Sequence, residues 1–238
     1  MDNLKRTFVE NNREIQQVVY SLSHDLSAPI RHINSFHGLL MDNYGDALPE
    51  QAKEWLGYIE RSADKAGKMV MELLIYSRLC TSHDDEETFS LSELLENIIS
   101  DRQNDIDGKN ARIDIDGHLP VIYGLKKQWA MALTALLDNA LTFQPPNQPP
   151  LVVFTYKDGA LRVEDNGIGV ENKYHKEMAK LFKCLNHQNQ YPGTGMGLAH
   201  VERILGIHGG TLSFERSTLG GLAVVCSLPS QLIRIEPG

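Results

Sequence analysis

Apolar residues recur at helical spacing in the first third of the chain and predict two long amphipathic helices. The first is predicted from about Leu4 to Asn43 and the second from about Glu50 to Leu79, with a turn ending at Pro49 between them. We therefore expect an antiparallel helical hairpin. The positions forming the two stripes are Ile15, Val19, Leu22, Leu26, Ile30, Ile33, Phe36 and Leu40 in the first helix, and Trp55, Ile59, Ala63, Ala66, Val70, Leu73 and Ser77 in the second.

A lone hairpin cannot bury both stripes. A homodimer that forms a four-helix bundle is the natural solution, and the alternative is that the hairpin packs against the rest of its own chain. Pro29 lies within the first helix and is expected to bend it, because proline removes one backbone donor and crowds the preceding turn.

After the hairpin, the pattern alternates between helical and strand periodicity. An acidic run over residues 81–88 is the predicted linker between a helical hairpin at residues 1–80 and a second domain at residues 89–238. The fold class predicted is α+β, the second domain being an α/β sandwich with helices on one face of a mixed sheet. Helices are expected at 91–101 (capped by Ser90 or Ser92), at 126–143 and after Gly197, and strands at 111–116, 151–156, 161–164, 211–215 and 222–228.

Charge and composition exclude several classes of function. The 238 residues carry a formal net charge of -8 without a Lys/Arg cluster, which argues against nucleic acid or an anionic membrane as a partner. No apolar run approaches the ~20 residues that span a bilayer, and no signal peptide is visible, so we expect no membrane contact within this chain. Cys80, Cys184 and Cys226 are far apart and odd in number, which fits a cytoplasmic protein without disulfides or a zinc site.

One histidine in the first helix lies away from the apolar stripe. At about 100° per residue, His24 is about 200° round the helix from Leu22, and Asp25 follows it. An exposed imidazole beside a carboxylate can act as a nucleophile or a base, although most exposed helical histidines are inert. The rest of the chain must decide between these two interpretations.

Two glycine-rich runs and one asparagine in the second domain can bind a ligand. Asp165-Asn-Gly-Ile-Gly169 follows a strand, and its aspartate can accept hydrogen bonds from an exocyclic amine, although the same pattern makes simple turns. Gly193-Thr-Gly-Met-Gly197 precedes a helix, so it can direct N–H groups at phosphate oxygens or serve as a hinge. Asn139 lies off the apolar face of its helix and is either a surface residue or an oxygen ligand for Mg²⁺.

Taken together and in this order, these residues resemble the sensor histidine kinase family of two-component signalling, nearest in wording to its phytochrome-like and hybrid branch. The run around His24 resembles the phosphoacceptor box, Asn139 the N box, and residues 165–169 and 193–199 the two glycine boxes. The resemblance implies a dimerisation and phosphoacceptor hairpin followed by a GHKL-type ATP-binding domain.

The family mechanism follows from the resemblance. His24, with Asp25 as its hydrogen-bond partner and general base, would take the γ-phosphoryl group of ATP and pass it to an aspartate on a response-regulator receiver domain. Asn139 would hold Mg²⁺, Phe143 would stack on adenine, Asp165 would contact its amine, and a lid would span residues 171–192. The implied nucleotide site consists of Asn139, Phe143, Asp165, Gly167, Gly169, Gly193, Thr194, Gly195, Met196, Gly197 and Leu198.

Several positions depart from the family pattern. Ala135 and Thr142 replace a second asparagine and a basic residue of the N box, and the F box keeps only Phe182, with Lys180 or Lys183 as substitute charges. We therefore expect slow autophosphorylation, and weak phosphatase activity because Ala28 replaces a residue that orients water. The alternative function is a catalytically weak dimeric scaffold or phosphorelay module that still binds nucleotide.

Overall fold

The computed structural model describes residues 2–79, 85–185, 191 and 193–234, with the backbone alone over residues 2–18. The chain divides into two compact units, residues 1–82 and 83–238. Four features predicted from the sequence lie outside the described residues: the side chain of Ile15, Cys80, residues 81–84 of the acidic run, and residues 186–190 and 192 of the predicted lid.

The first unit is the predicted helical hairpin. Helix α1 (Asp2–Tyr44) and helix α2 (Glu50–Arg78) are joined by a short 3₁₀ turn at Gly45–Ala47. Helix α1 continues through Pro29, where we expected a bend. Because proline has no N–H, the carbonyl of Asp25 lacks its helical donor at this point.

The contact between α1 and α2 includes small and polar residues, and only part of the two apolar stripes lies in it. Ser23 and Ala63 are buried in it, and Asn34 Nδ2 donates a hydrogen bond to Asp64 Oδ1 at 2.8 Å. Of the stripe positions that the structure describes, Ala63 alone is fully buried. The exposed members of the two stripes are Leu22, Leu26, Ile33, Phe36 and Leu40 on α1, and Trp55 and Ile59 on α2.

The second unit confirms the predicted α+β architecture. Its main elements are α3 (Leu91–Asp101), β2 (Arg112–Asp116), α5 (Lys126–Thr142), β4 (Leu151–Lys157), β5 (Ala160–Asp165), α6 (Gly197–Ile207), β6 (Thr211–Arg216) and β7 (Leu222–Ser227). The main sheet has the strand order β2-β4-β5-β7-β6, in which the β2–β4 pair is parallel and the other pairs are antiparallel. Helices pack on one face, where alternate strand residues such as Phe154 and Val163 are buried.

Local sequence explains two of these elements directly. The β4–β5 hairpin turns at Asp158 and Gly159, whose φ angles of 53° and 78° match the left-handed turn that twisted strands favour. Helix α3 begins after Ser90, whose side chain accepts a hydrogen bond from the Glu93 N–H at 3.3 Å. Both the hairpin and this cap were predicted from the sequence.

The structure also contains short elements that the sequence pattern did not reveal. Strands β1 (Glu87–Ser90), β3 (Val121–Gly124) and β8 (Ile233–Arg234) form a small second sheet, and α4 (Gln103–Gly108) follows α3. Strand β1 starts inside the predicted linker, because Glu87 and Thr88 pair with β3. The predicted helix over residues 126–143 ends one residue early, at Thr142.

Candidate active site

His24 and Asp25 are both exposed on α1 and contact each other. Their side chains are 74% and 72% exposed, and His24 Nδ1 lies 3.2 Å from Asp25 Oδ1. When Nδ1 carries the proton and donates it to this carboxylate, Nε2 keeps its lone pair. The pair therefore has the geometry of an imidazole oriented by a carboxylate, and the exposure expected for His24 is confirmed.

Asp165 ends strand β5 and is buried, with a side chain held by the backbone. Its Oδ1 accepts hydrogen bonds from the N–H groups of Gly167 and Leu222, at 2.8 and 3.1 Å. Burial raises the pKa of this carboxyl group, and the two hydrogen bonds oppose that shift only in part. No hydrogen bond from the described residues falls on Oδ2, so this oxygen can accept one from a ligand amine.

The turn after Asp165 lies directly against the end of helix α5. A Cβ atom on Gly167 would overlap the carbonyl group of Phe143, so this close approach requires glycine. The Ile168 N–H donates to that same carbonyl at 3.0 Å, and Gly169 follows in a left-handed conformation. The first glycine run is therefore joined to the helix that carries Asn139.

Helix α5 presents Asn139 and Phe143 one turn apart at its carboxyl end. The Phe143 N–H donates to the Asn139 carbonyl at 3.2 Å, and both side chains are half-buried. The amide of Asn139 forms no hydrogen bond with the described residues. Its neighbour Asp138 instead pairs with Arg102 at 2.8 Å, which gives that carboxylate a structural partner.

The second glycine run forms the entry to helix α6. Gly193 is exposed, while Thr194, Gly195, Gly197 and Leu198 are half-buried. Met196 is wholly buried, so its side chain belongs to the core and it can meet a ligand through its backbone.

Ala135, which stands where the family pattern has a second asparagine, lies against this loop. A Cβ on Gly197 would be 3.7 Å from the Ala135 Cβ, so a longer side chain at residue 135 would reach the start of α6. The described part of the predicted lid packs on the same loop, because a Cβ on Gly195 would come within 2.9 Å of the Lys183 backbone.

The two lysines proposed as substitute charges already form ion pairs. Lys180 and Lys183 both pair with Glu177, at 3.3 and 2.7 Å. These lysine side chains are 63% and 42% exposed, so the pairs are weak and could be exchanged for a phosphate.

One residue of the site was missed by sequence reasoning. The Tyr191 ring lies 5.2 Å from the Phe143 ring, centroid to centroid, at an interplanar angle of 42°. Its hydroxyl group donates to the Gln144 carbonyl at 3.1 Å. The only signal for it in the sequence is an aromatic residue two positions before Gly193.

The described residues show neither a cluster of metal ligands nor a helix that could span a membrane. No three His, Cys, Asp or Glu side chains in this part of the chain come together as a metal-binding group. Among the helices it contains, none is long and apolar enough to cross a membrane.

Comparison with known proteins agrees with this geometry. Residues 124–232 match the family described as histidine kinase-, DNA gyrase B-, and HSP90-like ATPase. The chain is 24% identical, over 95% of its length, to the phytochrome-like protein Cph1 of Synechocystis sp.. It is 26% identical, over 92% of its length, to the methanogenesis regulatory histidine kinase FilI of Methanothrix harundinacea. The chain spans 30% and 25% of the lengths of these two relatives.

A solved structure shows the same fold over nearly the whole chain. Full-length ShkA in complex with AMPPNP matches 92% of this chain and 46% of that chain, with a TM-score of 0.63 and 19% identity. The chain combines a helical hairpin bearing an exposed histidine with an ATPase domain of the matched family. It therefore belongs to the sensor histidine kinases, with a GHKL-type ATP-binding domain.

Proposed function

We propose that this chain is an ATP-dependent protein histidine kinase that phosphorylates itself on His24 and passes the phosphoryl group to an aspartate of a response-regulator receiver domain. The observation that carries the proposal is the meeting of Asp165, the first glycine turn and the end of helix α5 at Phe143. The exposed His24–Asp25 pair in the other unit supplies the matching acceptor.

Three segments of the proposed site would each bind a different part of the nucleotide. Asp165 Oδ2 would accept a hydrogen bond from the adenine amine, and the Phe143 ring would pack against the base. The backbone N–H groups of residues 193–197 and the start of helix α6 would face the phosphates, since a helix N-terminus favours negative charge.

The residues present fit a magnesium ion bound mainly through the nucleotide. Mg²⁺ prefers oxygen ligands and keeps several waters, so one amide oxygen from Asn139 together with phosphate oxygens is a sufficient set. The ion would neutralise charge on the phosphates, and Asn139 would fix its place.

The hydrogen bond between His24 and Asp25 would decide which ring nitrogen attacks ATP. When Nδ1 keeps its proton and donates a hydrogen bond to Asp25, the Nε2 lone pair would form the new bond to the γ-phosphorus while the bond to the leaving ADP oxygen breaks. Asp25 would stabilise the positive charge that develops on the ring by accepting the Nδ1 proton's hydrogen bond throughout. Catalysis of this kind rests on positioning and charge neutralisation.

The proposed active form is a homodimer. The exposed apolar stripes lie on both helices of the hairpin, and a second copy would cover them in a four-helix bundle. Each large apolar side chain fully buried contributes about 1.5–3 kcal/mol, so a few such residues from each copy suffice for stable association.

The departures from the family pattern support a slow kinase. Ala135 and Thr142 place neither an amide nor a charge near the phosphates, and each lost contact to a charged group costs roughly 1.5–3 kcal/mol. Ala28 has no side-chain group to orient a water molecule, so we also propose weak phosphatase activity. Clear acceleration of phospho-regulator decay by this protein would refute that second point.

A second candidate function is a dimeric scaffold or phosphorelay module that binds nucleotide without transferring phosphate, and the same departures favour it. Incubation with γ-labelled ATP and Mg²⁺ separates the two. The kinase predicts acid-labile, base-stable label that is lost in His24→Gln and retained in His32→Gln, a matched exposed histidine on the same helix. Nucleotide binding without any label would support the scaffold.

A further inference from the structure

Tyr191 links two parts of the candidate nucleotide site that are distant in sequence. Its ring packs on Phe143 with centroids 5.2 Å apart, and its hydroxyl donates to the Gln144 carbonyl at 3.1 Å. Two residues later, Gly193 begins the loop that leads into helix α6. One side chain therefore ties this loop to the carboxyl end of α5.

The Phe143 end of this link is itself anchored to the remaining part of the site. The carbonyl of Phe143 accepts the Ile168 N–H, and its N–H donates to the Asn139 carbonyl. A displacement of the Phe143 ring would therefore change its packing against the adenine base. Loss of the Tyr191 hydroxyl would instead change the position of the glycine loop.

The ring separation decides how the two aromatic residues act. A base held between two rings would require them to lie about 7 Å apart, twice the ~3.5 Å contact distance between carbon atoms. The observed 5.2 Å is too short, so Tyr191 backs Phe143 instead of forming the second side of a sandwich.

We propose that Tyr191 is a positioning residue for a purine nucleotide: its ring holds Phe143 for packing against the base, and its hydroxyl holds the glycine loop for the phosphates. This inference rests on the proposed function, because it assigns roles within the same nucleotide site. It separates the contribution of the ring from that of the hydroxyl, and each can be removed alone.

The test measures the affinity of the full chain for adenosine and for ATP by displacement of a fluorescent ATP analogue. Tyr191→Ala removes the ring and the hydroxyl together, so adenosine affinity should fall about 2- to 12-fold, the range for one aromatic pair, and ATP affinity should fall further. Tyr191→Phe keeps the ring, so adenosine affinity should be unchanged while ATP affinity falls about 2- to 12-fold, the range for one hydrogen bond. Tyr123→Ala is the matched control, since this exposed tyrosine on β3 contacts Arg234 instead of Phe143 and lies outside the proposed site.

Other outcomes overturn the inference. Unchanged or tighter adenosine binding by Tyr191→Ala would mean that the ring does not support the base. Equal losses for both ligands in Tyr191→Phe would remove the separate role of the hydroxyl. Thermal melting shows that each variant is folded, and Tyr191→Phe keeps the test valid where Tyr191→Ala melts early. If the wild-type chain binds neither ligand, the proposed function fails before this inference is reached.

Discussion

Replacing Asp165 by asparagine separates the structural role of this side chain from its proposed role in recognition. Oδ1 accepts the Gly167 and Leu222 N–H groups, and the asparagine oxygen keeps both hydrogen bonds. Oδ2 becomes an NH₂ group, which would face the donating amine of adenine. A hydrogen bond to a charged group is worth about 1.5–3 kcal/mol, so the Kd for ATP should rise about 10- to 150-fold.

The same substitution should leave the fold intact. Burial raises the pKa of Asp165 above its usual value, so the folded state binds its proton more tightly than the unfolded chain does. The stability contributed by this group is therefore lost as pH rises through the folded pKa, and at neutral pH the buried charge is a cost. The asparagine side chain carries no charge, so Asp165→Asn should melt at or above the wild-type temperature at pH ~7.

The control for this prediction is Asp165→Ala, which removes the acceptor. Two buried N–H groups then lose their partner, at about 1–3 kcal/mol each, and the variant should melt clearly below the wild type. Isothermal calorimetry with ATP and Mg²⁺, together with thermal melts of all three proteins, provides the comparison. The reasoning is refuted if Asp165→Asn binds ATP like the wild type, or if it melts as low as Asp165→Ala.

Three further predictions follow from single side chains. Burial lowers the pKa of His208, and its Nε2 accepts a hydrogen bond from the Leu125 N–H at 3.2 Å. The stability that this neutral side chain contributes should be fully present above about pH 6.5 and should be lost in acid. The decrease in melting temperature between about pH 7.5 and 5.5 should therefore be smaller in His208→Gln than in the wild type. Ile33→Asp should dissociate the proposed dimer in sedimentation experiments, whereas Leu39→Asp, exposed but about 120° round the helix from Ile33, should not. Ala135→Asn should increase the initial rate of labelling by ATP, and an unchanged rate would argue against the missing amide as a cause of slow transfer.

Much of the fold could be predicted because its elements are long enough to show a period. The hairpin, the capped helix α3 and the β4–β5 turn each combine a regular pattern with a clear boundary residue. Strands β1, β3 and β8 contain four, four and two residues, too few to show alternation. Their pairing is set by long-range contacts that a local pattern does not contain.

The candidate site, too, could be predicted only in part. Asp165, Asn139 and the glycines could be proposed because each lies in a recognisable run, and the structure brings the first glycine run to the end of α5. Tyr191 was missed because its partner Gln144 is 47 positions away. The pattern located the apolar stripes, but it did not reveal the polar contact of Asn34 on α1 with Asp64 on α2.

Locating the phosphoryl group is the most direct test of the account. The full chain would be incubated with ATP and Mg²⁺ at neutral pH, digested without acid, and mapped by tandem mass spectrometry. The account predicts phosphate on the imidazole of His24, absent from Asp165→Asn at ATP concentrations that label the wild type. Phosphate on another residue, or a chain that binds ATP and remains unmodified, would contradict it.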